Sequence, residues 1–306
     1  MPRIPAAALS SSPTSSWRST SPFIYRFASW WFSHGPRGGI FLPNLIGRTL
    51  LKNTRMTIPL RSGARLAVDT SHLDIYCRID LDKGTWEGHV LEACLNMLRA
   101  GDVFYDIGAN AGVFSIECAL KFRDQIKVHA FEPQPTLVER IRNSAELNHI
   151  SGLSVHEILL SDKAGEGTLF VTRQSVHASL IAREAHAHPV RVRMTPLDDF
   201  IEQERLPPPT LIKIDVEGAE LQVFRGARKT LAVHKPVIVF EADQNMQRFG
   251  YDHATLFSAL QEAADYQILR LMSDSTMQPL RESDMLEETN YVALPSDRRE
   301  LLAQNA

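Results

Sequence analysis

The motif DIGANAG contains four residues that could contact a ligand, Asp106, Gly108, Asn110 and Gly112. Glycine lets a backbone pass close to a ligand, and a carboxylate such as that of Asp106 accepts hydrogen bonds from it. The apolar residues of Val103–Ile107 predict a buried parallel strand that ends in this turn. Such a turn, at the carboxyl edge of an open α/β sheet, is a common site for nucleotide-like ligands.

The spacing of the glycines narrows the choice of ligand. A dinucleotide fingerprint needs glycines at the first, third and sixth positions of the turn, where this chain has Gly108, Asn110 and Val113. A phosphate-binding P-loop needs a Gly-Lys-Ser/Thr ending, which the motif lacks. The turn therefore favours S-adenosylmethionine, which carries an amino-acid end, a sulfonium and an adenosine but no phosphate.

A second acidic residue, Glu132, follows the predicted strand Lys127–Phe131 and lies twenty residues after Gly112. An acid at this distance binds the ribose hydroxyls in dinucleotide-binding folds, so we predict the same role for Glu132. Pro133 then ends the strand, because proline cannot donate to a strand ladder. The alternative is an exposed acid at a strand end.

A polar pair, Ser161 and Asp162, follows the predicted strand Leu153–Leu160. We interpret this pair as lying at the adenine edge of the ligand, with the Asp162 carboxylate as hydrogen-bond acceptor. The alternative is an ordinary turn, because Ser, Asp and the nearby Gly165 are typical turn residues.

The segment Leu211–Glu220, LIKIDVEGAE, is the sharpest chemical signal after the first motif. Lys213, Asp215 and Glu217 share one parity, and alternate residues of a strand point the same way. Buried charges are costly unless they are paired, so this pattern indicates a functional cluster at the carboxyl end of a strand. For Glu220 we prefer a structural role, because a carboxylate in the first turn stabilises a helix dipole.

One further predicted strand, Lys235–Glu241, also ends in an acid, and Asp243 follows closely. It continues a series of strand ends that converge on one edge of the sheet. Each of these two acids faces either an acceptor or solvent, and the sequence leaves both interpretations open.

Taken together, these motifs resemble the FkbM family of class I methyltransferases over about Trp86 to Leu271. The pairing of the DIGAN turn with the IKIDVEGAE segment is fairly specific to that family. The resemblance implies an α/β fold, a Rossmann-like, mostly parallel sheet of seven strands with helices on both faces. It also implies S-adenosylmethionine as the methyl donor, and transfer to a hydroxyl of a sugar, a glycolipid or a natural product.

The resemblance also implies roles for individual residues. Asp106, Gly108, Asn110 and Gly112 would hold the methionine end of the donor. Glu132, with Pro133, would bind the ribose, and Ser161 with Asp162 would lie at the adenine. Asp215 and Glu217 would lie where donor meets acceptor, and Glu87, next to Trp86, would line the pocket.

Methyl transfer to a hydroxyl needs alignment of the reacting atoms and a base that takes the hydroxyl proton. We predict Asp215 as that base, with Glu217 as the alternative. Lys213 would hold a carboxylate ionised or position the acceptor. An excess of carboxylates around the sulfonium would stabilise the ground state instead of the transition state.

The chain divides into four predicted regions. Residues 1–57 form a basic and aromatic amino-terminal extension, partly disordered, and residues 58–100 contain a hairpin (Ile58–Val68) and a helix (Trp86–Leu98). Residues 101–295 form the methyltransferase domain, whose final hairpin uses Tyr266–Leu271 and Asn290–Leu294. Residues 296–306 are a solvated tail.

The amino-terminal extension has basic residues but no acidic residue before Asp69. Its segment Pro22–Phe32 is apolar and aromatic, with one arginine inside. Such a segment can lie on an anionic membrane, which would suit a lipid-linked acceptor. A transit-like sequence and a helix that packs on the core are the alternatives.

Composition limits the class of protein. A net charge of −3 provides no broad basic surface, so we predict no nucleic-acid partner. The family resemblance implies a small-molecule, glycan or glycolipid acceptor. Cys77, Cys94 and Cys118 are odd in number and far apart, which indicates reduced, buried thiols in a cytoplasmic protein. The segment Pro22–Phe32 would place this protein at the membrane periphery. No apolar stretch reaches the roughly 18 residues of a membrane-spanning helix.

Two further interpretations concern metals and other functions. His177, His186 and His188 have no carboxylate at a recognised ligand spacing, so we predict no metal. The alternatives are an N-methyltransferase or nucleic-acid methyltransferase of the same fold, and a non-catalytic cofactor-binding protein. The charged residues of 213–217 argue against the last. The Asp215–Gly218 sequence differs from the Asn/Asp-Pro-Pro-aromatic tetrad usual for nucleic-acid bases.

Overall fold

The computed structural model describes residues 55–60, 62–69, 87–171, 178–179, 188–281 and 289–298, together with Trp30. Its strands are, in chain order, β1 (Arg55–Pro59), β2 (Arg65–Asp69), β3 (Val103–Ile107), β4 (Lys127–Phe131), β5 (Leu153–His156), β6 (Leu159–Leu160), β7 (Gly165–Val171), β8 (Ala178–Ser179), β9 (His188–Thr195), β10 (Leu211–Ile214), β11 (Val237–Ala242), β12 (Tyr266–Leu271), β13 (Met277–Pro279) and β14 (Thr289–Pro295). Its α-helices are α1 (Gly88–Met97), α2 (Val113–Phe122), α3 (Pro135–Leu147), α4 (Leu197–Glu204), α5 (Glu220–Gly226), α6 (Arg228–His234) and α7 (His253–Ala263).

The largest sheet has eight strands in the order β13-β12-β14-β11-β10-β3-β4-β5. The five strands from β11 to β5 are parallel to one another. β14 is antiparallel to both β11 and β12, and β13 is antiparallel to β12. The chain leaves β3 toward β4 on one side and later returns to β10 on the other. This reversal of strand order opens a crevice at the carboxyl ends of the central strands, where ligands of α/β sheets bind.

Alternating side chains of the central strands bury apolar groups on both faces of the sheet. Tyr105 and Ile107 pack with residues of α4 to α7, whereas Phe104 packs with residues of α1 and α2. Because Asp106 and Phe104 share one parity, the Asp106 carboxylate lies on the face covered by α1 and α2. This explains why a charged residue can stand inside a buried strand next to the amino end of α2.

Two smaller sheets flank the main one. The β1–β2 hairpin is antiparallel and packs through Ile58 and Val68 against α2 and α3. The four-stranded sheet has the order β6-β9-β7-β8 and a small apolar core that includes Leu159 and Leu169. The predicted hairpin is confirmed, although its first strand begins at Arg55, within the predicted extension.

The α/β fold with a mostly parallel sheet and helices on both faces is confirmed, but the sheet has eight strands instead of seven. The extra strand, β13, pairs with β12 at the sheet edge. It has only three residues and no buried one, so it leaves no hydrophobic pattern in the sequence. The terminal pairing of β12 with β14 was predicted and is confirmed.

The predicted strand Leu153–Leu160 is wrong as a single element. β5 belongs to the main sheet and β6 to the four-stranded sheet. Between them the Ile158 N–H donates to the His156 carbonyl at 3.1 Å, a tight turn that ends β5. The apolar run continues across this turn, so its composition alone does not reveal the break.

Several predictions fall outside the described residues. They include the segment 1–29, Trp86, Cys77, His177, His186 and the tail from residue 299. The membrane contact of Pro22–Phe32 therefore stays a prediction. Within the described part of the chain, no helix has the length and apolar character needed to cross a bilayer.

Candidate active site

A cavity of about 170 Å³ lies at the carboxyl ends of β3, β4, β10 and β11. Its polar lining includes residues from each of these strand ends and from the start of α1, namely Asn110, Glu132, Asp215, Glu217, Glu241 and Glu87. Apolar side chains form the rest of the wall, among them Phe131, Leu159, Leu160, Leu169 and Val216. The DIGAN turn, the segment after β4 and the turn after β10 therefore meet at one site, together with Glu241.

The DIGAN turn depends on close contact between two loops. Gly108 has φ of +80°, and a Cβ added there would lie 1.9 Å from the Asp215 carbonyl oxygen. The Asp215 N–H also donates to the Ile107 carbonyl at 3.0 Å. Glycine at position 108 thus brings the loop after β3 against the loop after β10.

The Asp106 carboxylate supports this turn from within the protein. Asp106 is fully buried, and its Oδ2 accepts hydrogen bonds from the Ser115 N–H at 3.1 Å and from the Ser115 hydroxyl at 2.6 Å. Gly112, the N-cap residue of α2, has φ of +83°, and a Cβ there would lie 2.8 Å from Ile141. Of the four residues predicted for the methionine end, Gly108 and Asn110 line the cavity, whereas Asp106 and Gly112 shape the turn.

The Glu132 carboxylate is held by backbone donors on both oxygens. Its Oε2 accepts from the Asn110 N–H and its Oε1 from the Gln134 N–H, each at 2.9 Å. Burial raises the pKa of Glu132 to about 7, although these hydrogen bonds lower it. The Gln134 side chain is a third donor to this carboxylate. A carboxylate offers about four acceptor sites, so Glu132 can still accept a hydroxyl of a ligand in a fixed orientation. Pro133 lines the cavity beside it.

Lys213 and Asp215 form a buried ion pair. Lys213 Nζ lies 3.1 Å from Asp215 Oδ2 and 4.5 Å from the centroid of the Phe114 ring. Burial by itself lowers the pKa of Lys213, but Asp215 and then Asp106 and Glu87 raise it, and the net shift is upward. Lys213 therefore stays charged and is committed to the carboxylates around it.

The predicted alignment of Lys213, Asp215 and Glu217 along one strand is wrong. β10 ends at Ile214, so both acids lie on the following turn, where Glu217 has φ of +58°. The turn still directs Asp215 and Glu217 into the cavity lining. Lys213 lies within the strand and is buried on the α1 and α2 face instead.

Glu220 has the structural role predicted for it. It is the first residue of α5, and its Oε1 accepts from the N–H groups of Val216 and Gly218, each at 3.2 Å. The Tyr251 hydroxyl lies 3.2 Å from its other oxygen. Burial raises the pKa of Glu220 to about 7. These contacts fix the turn that carries Asp215.

Sequence reasoning left the importance of Glu241 open. Ile214 of β10 and Phe240 of β11 are paired in parallel register, so Asp215 and Glu241 leave adjacent strands at the same level. Carboxylate oxygens of Glu87, Asp215 and Glu241 lie within 4.8 Å of one another. The sequence does contain a signal for this pairing, because two successive predicted strands each have an acid at or just after their carboxyl end.

These three residues are called the acidic cluster below. Burial, followed by the charge of Asp215, raises the pKa of Glu87 to about 7. Burial, followed by Asp215 and Glu87, raises the pKa of Glu241 to about 9. Oxygen ligands at this spacing also match the preference of divalent cations, and the absence of a metal stays a prediction.

Ser161 and Asp162 do not line the cavity. Ser161 donates its N–H to the Thr195 carbonyl at 3.0 Å and packs against Gly226 of α5, while Asp162 is exposed. The lining from this part of the chain comes from the preceding residues, Ile158–Leu160. An adenine contact by the polar pair stays a prediction.

The chain matches a known protein family over the strand ends that build this cavity. The model of the methyltransferase FkbM domain family matches residues 106–268, which is more than half of the chain. The chain belongs to this family. The match covers every strand end that builds the cavity, and it confirms the resemblance inferred from the motifs.

Individual relatives are distant. The hexuronic acid methyltransferase AglP of Haloferax volcanii is 26% identical over 153 residues, which are 50% of this chain and 61% of the relative. The 31-O-demethyl-FK506 methyltransferase FkbM of Streptomyces tacrolimicus is 28% identical over 159 residues, 42% of this chain and 60% of the relative. The chain thus spans about three fifths of the length of the curated relatives it matches.

Among solved structures, the crystal structure of methyltransferase FkbM from Methylobacillus flagellatus is 19% identical to this chain, with a TM-score of 0.44. The alignment covers 73% of this chain and 54% of that one. The structure of TYW2 from M. jannaschii in complex with AdoMet is 13% identical, with a TM-score of 0.39, and covers 79% of this chain and 85% of that one.

Proposed function

We propose that this protein is an S-adenosylmethionine-dependent methyltransferase that acts on a hydroxyl of a sugar, a glycolipid or a natural product. The observation that carries the proposal is the cavity at the strand-order reversal, which pairs a fixed carboxylate, Glu132, with the acidic cluster. Family membership supports the activity. Relatives named for a hexuronic acid, for FK506 and as a 2-O-methyltransferase support the class of acceptor.

The residues of the cavity fit the chemical groups of this donor. Glu132 is oriented to accept a hydrogen bond from the ribose hydroxyls, and the acidic cluster suits a cation. Asn110, which lines the cavity, has a buried Oδ1 without a hydrogen-bond partner in the described part of the chain. A ligand N–H or O–H would satisfy it, as buried polar atoms require. The apolar wall of Leu159, Leu160 and Leu169 offers a surface for a flat base.

When bound, S-adenosylmethionine supplies a methyl carbon on a positively charged sulfur. The protein must then hold an acceptor oxygen in line with that carbon, an arrangement that can account for most of the acceleration. Asp215 is well placed for this, because Lys213 fixes its Oδ2 and the carboxylate lies at the cavity wall. Glu217 lies on the same turn and serves as a second contact for the acceptor.

The proposal is tested by calorimetric titration of the full chain with S-adenosylmethionine and, separately, with NAD. We expect saturable binding of the methyl donor and no binding of NAD, because the turn lacks the glycines of a dinucleotide site. NAD binding without a response to the methyl donor would contradict the proposal.

The acceptor is then sought with isotope-labelled donor and extracts of glycans, glycolipids and polyketides. Label transferred to a product that resists mild base and carries a new methyl ether would support O-methylation. Label found only on amines or on nucleic acid would contradict the proposed acceptor class, while leaving donor binding intact. An Asp215→Asn sample in the same screen controls for transfer without the enzyme.

A further inference from the structure

Glu241 lies within the acidic cluster, at the wall of the cavity. It extends from β11 beside Asp215, because the strands that carry the two residues are paired in register. It lines the cavity and is only partly exposed. Its carboxylate can therefore reach a ligand in the cavity, yet water does not fully surround it.

The acids at the cavity wall differ in their hydrogen-bond and ion-pair partners. Asp215 Oδ2 is occupied by Lys213 Nζ at 3.1 Å, and Glu217 lies 3.4 Å from the amide of Asn245. Among the described residues, Glu241 has no ion pair and no side-chain hydrogen bond. Of the acids at the cavity wall, Glu241 is thus more available to exchange a proton than Asp215.

Among the described residues, the charged groups that act most strongly on Glu241 are acids. Asp215 and Glu87 lie nearest, followed by Asp243 on the same segment and Glu217 on the turn after β10. Lys213 is committed to Asp215, as described above. Burial and this like-charge environment raise the pKa of Glu241 to about 9, so its carboxyl holds a proton at neutral pH. A cation that enters the cavity would favour the ionised form and displace that proton.

We propose that Glu241 is the proton-exchanging carboxyl of the site, which releases a proton when the cationic donor binds and receives the acceptor proton during transfer. The proposal rests on the function proposed above. It moves the role of base from Asp215, favoured by the sequence, to a residue that the sequence left undecided. Asp215 keeps the role of positioning the acceptor.

The step balances in atoms and charge. The acceptor oxygen forms a bond to the methyl carbon as the sulfur–methyl bond breaks, and that bonding pair stays on sulfur, which becomes a neutral thioether. The hydroxyl proton moves to a carboxylate oxygen of Glu241. One positive charge leaves the sulfur and one arrives at the acidic cluster, so the net charge of the cavity does not change.

This coupling avoids the difficulty that carboxylates create for a sulfonium. Ionised acids near the cation stabilise the ground state, and that stabilisation is lost as the charge disappears. As the sulfonium loses its charge, the proton affinity of the Glu241 carboxylate rises, and Glu241 takes the hydroxyl proton in the same step. This protonation offsets the lost stabilisation. The acidic cluster then assists both binding and transfer.

The test compares S-adenosylmethionine with S-adenosylhomocysteine, which has the same amino-acid and adenosine ends but a neutral sulfur. Calorimetry at pH 7.5 in two buffers of different ionisation enthalpy gives the protons released per ligand bound. For the wild-type chain, we expect the charged ligand to release up to one proton more than the neutral one. In Glu241→Gln this difference is expected to disappear, and in Glu202→Gln, an exposed acid of α4 outside the cavity, it is expected to persist.

Two results would overturn the proposal. One is an equal proton release for both ligands in the wild-type chain, and the other is a difference that persists in Glu241→Gln. Failure of the charged ligand to bind at all would instead overturn the proposed function, and the present inference with it. Melting curves of each variant establish that the protein is folded.

Once an acceptor is known, turnover provides a second readout. We expect Glu241→Gln to lower kcat by about 100-fold or more, the usual range for loss of a general base, and Glu241→Asp to restore part of it. A variant with wild-type kcat and an unchanged pH profile would contradict proton transfer to Glu241.

Discussion

Two carboxylate sites in one cavity, Glu132 and the acidic cluster, differ in how their oxygens are satisfied. Glu132 accepts a backbone N–H on each oxygen, so its direction is fixed before any ligand arrives. Glu87 and Glu241 instead face other carboxylates, with Lys213 paired to Asp215. The first site fixes the direction of one carboxylate and the second concentrates negative charge. Under the proposed function, one cavity would thus both hold a donor and respond to its cation.

The largest expected effect on turnover comes from Asp215, the residue proposed to position the acceptor. We predict that Asp215→Asn lowers kcat by about 100-fold or more, because the acceptor loses its alignment, while the Kd of the neutral ligand S-adenosylhomocysteine stays close to the wild-type value. Calorimetry and initial rates with labelled donor measure the two quantities. Asp265→Asn, an exposed acid after α7, is the matched control. Loss of S-adenosylhomocysteine binding in Asp215→Asn would contradict the division between the two sites.

The next effect concerns the fixed carboxylate. Removal of Glu132 by Glu132→Ala should weaken donor binding by roughly 10- to 100-fold, the cost of losing about 1.5–3 kcal/mol of charged hydrogen bonding. Glu132→Gln should weaken it less, because one oxygen remains to accept. Titration of both variants checks the order, and an unchanged affinity in Glu132→Ala would refute the ribose assignment.

The pH dependence of binding distinguishes the two sites without mutation. Glu132, with a pKa raised to about 7, should ionise as pH rises toward 7 and favour both S-adenosylmethionine and S-adenosylhomocysteine. Glu241, with a pKa raised to about 9, should favour only the cationic ligand. The ratio of the two affinities is therefore expected to rise between pH 7 and 9, by at most about tenfold per unit. A constant ratio would mean that the cluster does not sense the sulfur charge.

A smaller effect concerns stability. Because the pKa of Glu241 rises from 4.5 to about 9 on folding, the folded chain holds a proton that the unfolded chain loses, and stability falls as pH rises through this interval. Glu241→Gln removes this loss and should be more stable than the wild type at pH 9, by an amount on the order of 1 kcal/mol for a partly exposed group. At pH 5 the difference should nearly vanish. Melting temperatures at both values measure it, and equal shifts at both would contradict the cause.

The sequence was most informative where a local pattern determines the structure. The DIGAN turn could be located because Gly108 must adopt a left-handed conformation against another loop. Glu132 could be assigned because an acid directly after a parallel strand must lie at the carboxyl edge of the sheet. The pairing of β12 with β14 could be predicted because each segment is an apolar run long enough to form a strand.

The remaining features depend on contacts distant in sequence. The neighbourhood of Glu241 results from the register between β10 and β11, which no spacing within either strand reveals. Lys213 shares parity with Asp215 in the sequence, but β10 ends between them, so the pair is made across a strand end. The division of Leu153–Leu160 depends on which sheet accepts β6, and an apolar run does not encode that choice.

The most direct measurement is a crystal structure of the chain with S-adenosylmethionine bound. We predict that the ribose hydroxyls contact the Glu132 carboxylate and that the sulfonium lies within reach of Asp215 and Glu241. A ligand bound elsewhere, or bound in this cavity with the ribose away from Glu132 and the sulfur away from the acidic cluster, would contradict this prediction.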